Sequence, residues 1–432
     1  MKILFTQDAL VNAGAERSHL EILSRFSQEV DVGFVYFYPK HELKTEYEKA
    51  GIRLIFLDIP EGYHFRLAIR KLVLLIQSEK PDLLVSCLWR ADIITRLASW
   101  ITGVPLIGTL VNDSYSPLAW KDKKGLKYKV VYWLDRLTAG IPLHWIANAQ
   151  ALADSHVKTL GIKQDKISVV YRGRPVIAPA RNGGCDAGAS SPELDSGKPT
   201  LPAGRQSQKM ETDRFVSRDD DTIRNFISYG RLLERKGFQD AICAFSEVIK
   251  IYADCTLTIF GDGPYRNQLE TLIQNLDLQK SVFLPGKISN PMDALINGYC
   301  QPQQSSTHTL PVSTGLKIGT ENCPLITGNC FIFPSWYEGF SGALVEAMMA
   351  GIPIIASDIP MNLEAVSDHV SALTFPVGNS KTLADKMKWA IEHPEQMLTL
   401  GRQAKKDAEE RFDIEKIAIQ YEQVLWKVRN SK

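Results

Sequence analysis

Two glutamates, Glu338 and Glu346, lie in one largely apolar segment of the sequence, PSWYEGFSGALVEAMMAG. The run ending at Phe333 predicts a strand, and the residues after the glycines predict a helix. Eight helical positions span about 12 Å, close to the distance from hexose to ribose in a sugar nucleotide. A phosphate suits the N–H groups at the helix start. We therefore expect Glu338 at sugar hydroxyls and Glu346 at ribose hydroxyls; the alternative is a helix cap and a solvated face.

Two cations follow another predicted strand, Asn225–Tyr229, in the segment YGRLLERKGF. Arg231 and Lys236 lie beyond the carboxyl end of that strand, where open α/β sheets bind their ligands. Cations at this position suit a departing diphosphate, and an arginine can bind it with two hydrogen bonds. Alone, they are equally typical of an ordinary surface loop. Together with the glutamate pair, at the same predicted sheet edge, they indicate an anion-binding site.

Glycines follow two further predicted strands. Gly14 lies between the first strand and the first helix, where the missing side chain lets backbone approach a ligand across a cleft, although a simple helix-starting turn would use the same residue. The segment FGDGPYR at 260–266 is a similar turn. Because the spacing around Gly14 is not G-x-G-x-x-G, dinucleotide binding by this loop is not favoured.

Strand-like and helix-like segments alternate through residues 2–171 and again from 225 onward. This alternation predicts βαβ units and an α/β fold of two doubly wound, Rossmann-like domains. We place the N-terminal domain at 1–178, a linker or insertion at 179–221, and the C-terminal domain at 222–412. A last amphipathic helix follows at 413–432.

Two stretches interrupt the alternation. Residues 181–218 are rich in glycine and proline, and residues 301–329 are rich in Gln, Ser, Thr and Pro without any period. Neither can bury much apolar surface, so we expect low-complexity surface insertions. For the second stretch, an ordinary long loop packed through Leu310 or Leu325 is the alternative.

The composition excludes several classes of protein. Fifty Lys and Arg against 49 Asp and Glu among 432 residues exclude a strongly basic nucleic-acid binder. Seven scattered cysteines without a C-x-x-C spacing predict free thiols in a reducing compartment. The longest apolar runs fall far short of the ~20 residues of a membrane span, and no leader precedes the first strand. We therefore expect a cytoplasmic protein.

At this point the motifs resemble those of a known family, the retaining glycosyltransferases of family 4 with the GT-B fold. The matching segments are EGFSGALVEAM, GRLLERKG, FGDGP, FLPGKIS, AGAER and the closing RFDIEKIAIQYEQVLWKV. The resemblance implies two Rossmann-like domains facing across a cleft, with donor binding in the C-terminal domain and acceptor binding in the N-terminal one. It also implies that the final helix crosses back to complete the N-terminal domain.

The resemblance implies roles for individual residues. Arg231 and Lys236 would hold the diphosphate, Glu338 the donor sugar and Glu346 the ribose, while Gly14 would approach the phosphate. The donor site would also include Gly339, Phe340, Ser341 and Gly342 at the sugar and phosphates, and Gly286, Lys287 and Ile288 beside the base. No metal ion and no cofactor are implied, because the nucleotide sugar, a UDP- or GDP-sugar, is a substrate.

The chain departs from the family pattern at two loops. A histidine common in the N-terminal domain is replaced within GTLVNDSY, where Asn112 or Asp113 are the candidates for the acceptor-side contact. In VVYRGRP, Arg172 stands where an asparagine is frequent.

The function expected from these residues is transfer of a sugar from a nucleoside-diphosphate sugar to an acceptor hydroxyl with retention, in surface glycan or lipid-linked glycan assembly. Arg231, Lys236 and the helix start would stabilise the leaving diphosphate. The resemblance implies a front-face reaction, in which the diphosphate itself draws the acceptor proton. The alternatives are a GT-B sugar-nucleotide epimerase, which the glutamate pair disfavours, and a non-catalytic sugar-nucleotide binder.

A basic, aromatic segment indicates one more partner. Residues 120–133 read WKDKKGLKYKVVYW, with five lysines and one aspartate. Lysines favour an anionic surface, and Trp and Tyr favour the membrane interface. We expect peripheral binding at the inner membrane face near a lipid-linked acceptor. The alternative is a solvated helix whose Val130, Val131 and Leu134 enter the core.

Overall fold

The computed structural model describes residues 1–122, 125–176, 222–288, 291–297 and 328–431. The predicted linker at 179–221 lies wholly outside the described residues, and so does the predicted insertion at 301–329 except for Gly328 and Asn329. Two parallel α/β sheets organise the described chain, one in each half of the sequence.

The first sheet contains seven strands in the order β3-β2-β1-β4-β5-β6-β7. The strands are β1 (Lys2–Gln7), β2 (Asp31–Tyr36), β3 (Arg53–Phe56), β4 (Leu83–Cys87), β5 (Leu106–Leu110), β6 (His144–Ala147) and β7 (Ile167–Val169). The helices around it are α1 (Gly14–Leu23), α2 (Lys44–Lys49), α3 (Phe65–Glu79), α4 (Trp89–Thr102), α5 (Pro117–Asp122), α6 (Leu126–Thr138) and α7 (Gln150–Leu160).

The second sheet contains six strands in the order β10-β9-β8-β11-β12-β13. The strands are β8 (Asn225–Tyr229), β9 (Thr256–Phe260), β10 (Val282–Gly286), β11 (Asn329–Phe333), β12 (Ile354–Ser357) and β13 (Leu373–Phe375). The helices that follow its strands are α8 (Phe238–Val248), α9 (Arg266–Asn275), α10 (Pro291–Asn297), α11 (Gly342–Ala350), α12 (Pro360–Ala365), α13 (Ser380–Glu392) and α14 (Pro394–Arg411).

The central strands are largely apolar because helices cover both faces of each sheet. Every residue of β4, β5 and β11 is buried. In both sheets the strand order reverses at one point, between β1 and β4 in the first and between β8 and β11 in the second. Ligands of open α/β sheets bind outside the carboxyl ends of the strands at such a reversal. The loops after these four strands are therefore where a site is expected.

A last helix, α15 (Ile414–Asn430), packs on the first sheet although it follows the second. Ile417 and Tyr421 share a core with Ile3 and Phe5 of β1. The chain crosses closely at Gly173, because a Cβ there would lie 2.6 Å from Cα of Ile414. The apolar side of this final amphipathic helix thus completes the core of the first sheet.

The pattern of residues 123–138 predicts one continuous helix, and the structure differs from that expectation. Among the described residues, α5 ends at Asp122 and α6 begins at Leu126, directly after Gly125. Gly125 has a φ of 110°, outside the helical region. The short elements α2, α10, α12 and β13 were not predicted, because three to seven residues carry little periodic signal.

Candidate functional site

Glu338 lies in the loop between β11 and α11, at the carboxyl edge of the second sheet. Its side chain is 9% exposed and accepts hydrogen bonds from Lys236 Nζ and from Ser335 Oγ, the latter at 2.8 Å. Burial alone would raise the pKa of this carboxyl, but the charges of Lys236 and Arg235 hold it below its usual value. Glu338 is therefore an anion that can accept further hydrogen bonds.

The cations after β8 surround Glu338 unequally. Lys236 pairs directly with Glu338, and Arg235 Nη1 lies 3.7 Å from the other carboxylate oxygen. Both belong to the 3₁₀ turn Glu234–Lys236 that leads into α8. Arg231 is exposed and forms no ion pair within the described ranges. The structure thus brings Lys236 to the predicted site, adds Arg235, and leaves Arg231 at the rim of the loop.

Helix α11 begins at Gly342 after Ser341 and places Glu346 one turn into the helix. Both carboxylate oxygens of Glu346 have partners. Arg174 Nε donates to Oε1 at 2.7 Å, and the Tyr229 hydroxyl donates to Oε2 at 2.7 Å. The helix is otherwise apolar, so this carboxylate is its one charged group. A nucleotide ribose at Glu346 would meet these two partners.

The loop before α11 touches the first half of the chain. A Cβ on Gly339 would clash with the carbonyl oxygen of Val111, so only glycine permits this approach. Phe340 is buried against Tyr171, with ring centroids 5.0 Å apart, and its N–H donates to Asn148 Oδ1 at 3.3 Å. The Phe340 side chain is therefore a packing residue, and its backbone N–H already has an acceptor.

Gly14, the first residue of α1, faces the same cleft from the other sheet. A Cβ on Gly14 would lie 3.1 Å from Nη1 of Arg172. Burial and the neighbouring Arg174 lower the pKa of Arg172 to about 10. The residue that departs from the family pattern thus lies directly beside the glycine expected near the phosphate.

The predicted base-side residues lie at the end of β10, which is separated from β11 by β9 and β8. Gly286 has a φ of 95° and its carbonyl accepts the N–H of Gly261, which joins the β9 and β10 loops. Lys287 is exposed, while Ile288 packs against the core beneath α11. These residues lie at the same sheet edge as Glu338.

The two acceptor-side candidates differ in surroundings. Asn112 lines a cavity of about 410 Å³ outside the carboxyl ends of β1, β4 and β5. Asp113 is buried, and its carboxylate accepts a hydrogen bond from the Ser155 hydroxyl at 2.7 Å. This bond joins the loop of Asp113 to α7. Asn112 therefore remains the better candidate for an acceptor contact.

Buried charges form the wall of this cavity. Burial raises the pKa of Asp92 to about 7, despite Arg96 nearby, and that of Asp8 to about 6. Arg96 is 1% exposed and pairs with Asp135. Aromatic side chains complete the lining, namely Tyr63, Trp89, Tyr115 and Tyr128. Aromatic side chains with a few placed polar groups are typical of small-molecule sites.

Two family models match the chain. One, described as Glycosyl transferases group 1, matches residues 209–305 and 325–407; the other, described as Glycosyltransferase Family 4, matches residues 13–176. The chain belongs to the group 1, family 4 glycosyltransferases. The resemblance inferred from the motifs is confirmed.

Curated relatives of this glycosyltransferase include two that align over most of their length. An uncharacterized glycosyltransferase of Methanocaldococcus jannaschii is 24% identical over 78% of this chain and 71% of its own. The capsular polysaccharide biosynthesis glycosyltransferase CapM of Staphylococcus aureus is 23% identical over 83% of this chain and 78% of its own.

Solved structures share the whole architecture. HepE of Anabaena, in complex with UDP-glucose, superimposes with a TM-score of 0.70 at 20% identity, covering 99% of this chain and 100% of that one. Sucrose-phosphate synthase from Thermosynechococcus elongatus gives a TM-score of 0.69 at 15% identity, with both chains covered completely (100%). The predicted fold class, two Rossmann-like α/β domains in the GT-B arrangement, is confirmed.

Several residues of the glycosyltransferase cleft were not predicted. Arg235 stands beside a predicted residue, and Tyr229 ends a predicted strand, so position within the motif could have indicated both. Arg174 has no local signal, because its contact with Glu346 joins residues far apart in the chain. Among the described residues, no three His, Cys, Asp or Glu side chains are grouped as metal ligands would be.

Proposed function

We propose that this glycosyltransferase moves a hexosyl group from a nucleoside-diphosphate sugar, a UDP- or GDP-sugar, to an acceptor hydroxyl with retention at the anomeric carbon. The observation that carries the proposal is the placement of Glu338 and Glu346 on either side of the start of α11, with Lys236 and Arg235 beside Glu338. The complex of HepE with UDP-glucose supports a donor of this class.

The arrangement suggests a division of roles. Glu338 is held as an anion, so it would accept hydrogen bonds from donor-sugar hydroxyls and would not act as a proton donor. Arg231, which is exposed at the rim, and Lys236 would stabilise the charge that grows on the leaving diphosphate. In a front-face reaction, a diphosphate oxygen would take the acceptor proton as the new glycosidic bond forms.

The acceptor would enter through the cavity lined by Asn112. Val111 and Asn112 line that cavity, and the carbonyl of Val111 meets Gly339, the neighbour of Glu338. An acceptor hydroxyl in the cavity would therefore be close to the donor sugar. The name of CapM supports a role in polysaccharide assembly, with a glycan or lipid-linked glycan as the acceptor.

An exposed stripe on α6 supports the proposed membrane contact. The apolar side chains along one side of this helix are exposed, namely Leu126, Val130, Trp133, Leu134 and Leu137. The alternative to a membrane contact required Val130 and Leu134 to enter the core. Both side chains are exposed, so they do not. Lys127 and Lys129 are exposed on the same helix, and their charge suits anionic lipid. None of the described helices is both long and apolar enough to cross a membrane.

The proposed activity is tested by a thermal-shift screen of UDP-, GDP- and ADP-sugars, followed by transfer assays with the donor that binds. A donor at 100 times its dissociation constant should add about 2.7 kcal/mol of stability. Nuclear magnetic resonance of the product should show the donor's anomeric configuration. EDTA should leave the rate unchanged if the reaction needs no metal. Absence of stabilisation by every donor, or an inverted product, would refute the proposal.

A further inference from the structure

Arg174 lies at the crossing between the two halves of the chain, and its guanidinium covers the start of α11. A Cβ on Gly342, the first residue of the helix, would clash with Nη2 of Arg174. The backbone of Arg174 is fixed by its N–H, which donates to the carbonyl of Phe412, and by its own carbonyl, which accepts the N–H of Ile414. The side chain is therefore held against the N–H groups where the proposed diphosphate would bind.

A cation at this position has an unfavourable neighbour, because the N-terminus of a helix carries partial positive charge. The ion pair between Arg174 and Glu346 offsets this cost, with 2.7 Å between Nε and Oε1. The pair is largely buried, since the two side chains are 12% and 20% exposed. The residue proposed for ribose thus holds the guanidinium on the proposed phosphate position.

The cleft carries an excess of positive charge. Its cations are Arg172, Arg174, Arg231, Arg235 and Lys236. Three carboxylates face these five cations: Glu338, Glu346 and Glu16, the last acting on Arg172. Arg172 lies beside Arg174 and forms no ion pair within the described part of the chain. Burial, and then the charge of Arg174, lower the pKa of Arg172. An anion of charge about −2 would relieve this repulsion more effectively than a neutral ligand.

We propose that Arg174 is a specificity residue that exchanges partners: it pairs with Glu346 in the arrangement described here, and with the donor's diphosphate when ribose hydroxyls hydrogen-bond to Glu346. This inference rests on the proposed nucleotide-sugar donor. A nucleoside must separate Arg174 from Glu346 and offers the guanidinium nothing in return. A nucleoside diphosphate supplies the new partner, so the exchange favours the diphosphate over the nucleoside.

The test compares the affinities of uridine, UMP and UDP by isothermal titration calorimetry, with the guanosine series in parallel. We expect Arg174→Ala to weaken UDP binding at least about 10-fold, as loss of a hydrogen bond to a charged group does. Uridine binding should stay within about threefold of wild type or improve. Arg174→Gln should behave like Arg174→Ala, and Arg174→Lys should restore part of the UDP affinity.

Arg411→Ala is the matched control, because Arg411 lies near the same crossing but donates to the carbonyls of Glu364 and Ala365. It should leave the ratio of UDP to uridine affinity unchanged. Equal losses for uridine and UDP in Arg174→Ala and Arg174→Gln would overturn the inference, and so would unchanged UDP binding. If neither UDP nor GDP binds wild type, the proposed function itself fails; if either binds and the ratio does not move, only the role of Arg174 fails.

Discussion

At the scale of single residues, Glu338 is the first position to change. Glu338→Gln keeps the size of the side chain but removes the charge that pairs with Lys236 and Arg235. We expect sugar transfer to fall at least about 100-fold, because the proposed hydrogen bonds to the sugar act mainly in the active complex. Steady-state transfer assays measure the loss, and circular dichroism checks the fold.

Glu270→Gln is the control, because Glu270 pairs with Arg266 on the surface of the same half of the chain. Its transfer rate should equal that of wild type. A rate for Glu338→Gln within about threefold of wild type, less than about 1 kcal/mol of barrier, would show that Glu338 has another role.

Asp92 gives a prediction about pH. Its pKa is raised by burial to about 7, above that of an unfolded aspartate, so its contribution to stability is full below about pH 4 and is lost as the pH rises through 7. Asp8, Arg96 and Asp135 are the charged groups around it. Between pH 5 and 8, wild type should lose about 3 kcal/mol of unfolding free energy relative to Asp92→Asn.

Urea unfolding at the two pH values measures this difference. Asp254→Asn is the control, since that side chain is 67% exposed and pairs with Arg224 at the surface. Its unfolding free energy should follow wild type at both pH values. Parallel pH dependence of wild type and Asp92→Asn would show that Asp92 does not titrate in this range.

The sequence predicted which residues lie at this sheet edge better than it predicted what they contact. Glu338 and Lys236 lie together because each follows a parallel strand, and this regularity is visible in the motif spacing. Their direct ion pair, and the engagement of Glu346 by Arg174, depend on side-chain directions and on the crossing of the chain. Such contacts follow from tertiary packing, which no local pattern contains.

At the scale of elements, the exposed stripe of α6 predicts vesicle binding. Leu126 and Leu137 are 77% and 76% exposed, and Trp133 lies between them. We expect the protein to sediment with vesicles that contain phosphatidylglycerol and not with pure phosphatidylcholine. Trp133→Ser with Leu137→Ser should abolish sedimentation, because it removes apolar area from the interface. Salt at 1 M should weaken it, since the Debye length falls to ~3 Å.

Ile251→Ser is the matched control for this face. Ile251 is 62% exposed but belongs to the other half of the chain. Its sedimentation should equal that of wild type. Equal binding to neutral and anionic vesicles, or no effect of changing Lys127 and Lys129 to Gln, would contradict the proposed contact.

Long helices were predictable from the sequence, and the helices of six or seven residues were not. Helices such as α3 and α15 show several turns of apolar periodicity, so their existence follows from the sequence. The separation of α5 from α6 depends on the positive φ of Gly125, and a glycine in a lysine-rich run is compatible with either one helix or two. The exposure of the apolar stripe on α6 was likewise not predictable. A sequence pattern shows the spacing of apolar residues but not whether another element covers them.

At the scale of the whole molecule, Glu364 joins the two halves. Glu364 lies in the last turn of α12. Its carboxylate accepts hydrogen bonds from the N–H groups of Gln150 and Ala151, at 2.9 and 2.8 Å. These two residues begin α7, which packs on the other sheet. Glu364→Ala should therefore free the start of α7, because a carboxylate at a helix N-terminus stabilises it. We expect amide exchange at Gln150 and Ala151 to become at least about 10-fold faster, as loss of about 1.4 kcal/mol implies.

Hydrogen exchange followed by mass spectrometry of a peptide that spans this helix start measures the change. Glu395→Ala, in the first turn of α14, removes a comparable carboxylate that does not bridge the halves. It should leave α7 unaffected. Unaltered exchange at α7 in Glu364→Ala would mean that the halves are held together by their other contacts.

The crossing of α15 onto the first sheet has a consequence for biosynthesis. A ribosome makes β1 first and α15 roughly 240 residues after β7, which at usual translation speeds is a delay of roughly 10 to 50 s. Throughout that interval the face formed by Ile3 and Phe5 lacks Ile417 and Tyr421, its eventual cover. The nascent chain therefore exposes an apolar surface close to other nascent chains on the polysome. Such a surface is a natural substrate for a chaperone. The sheet that is translated first is completed last.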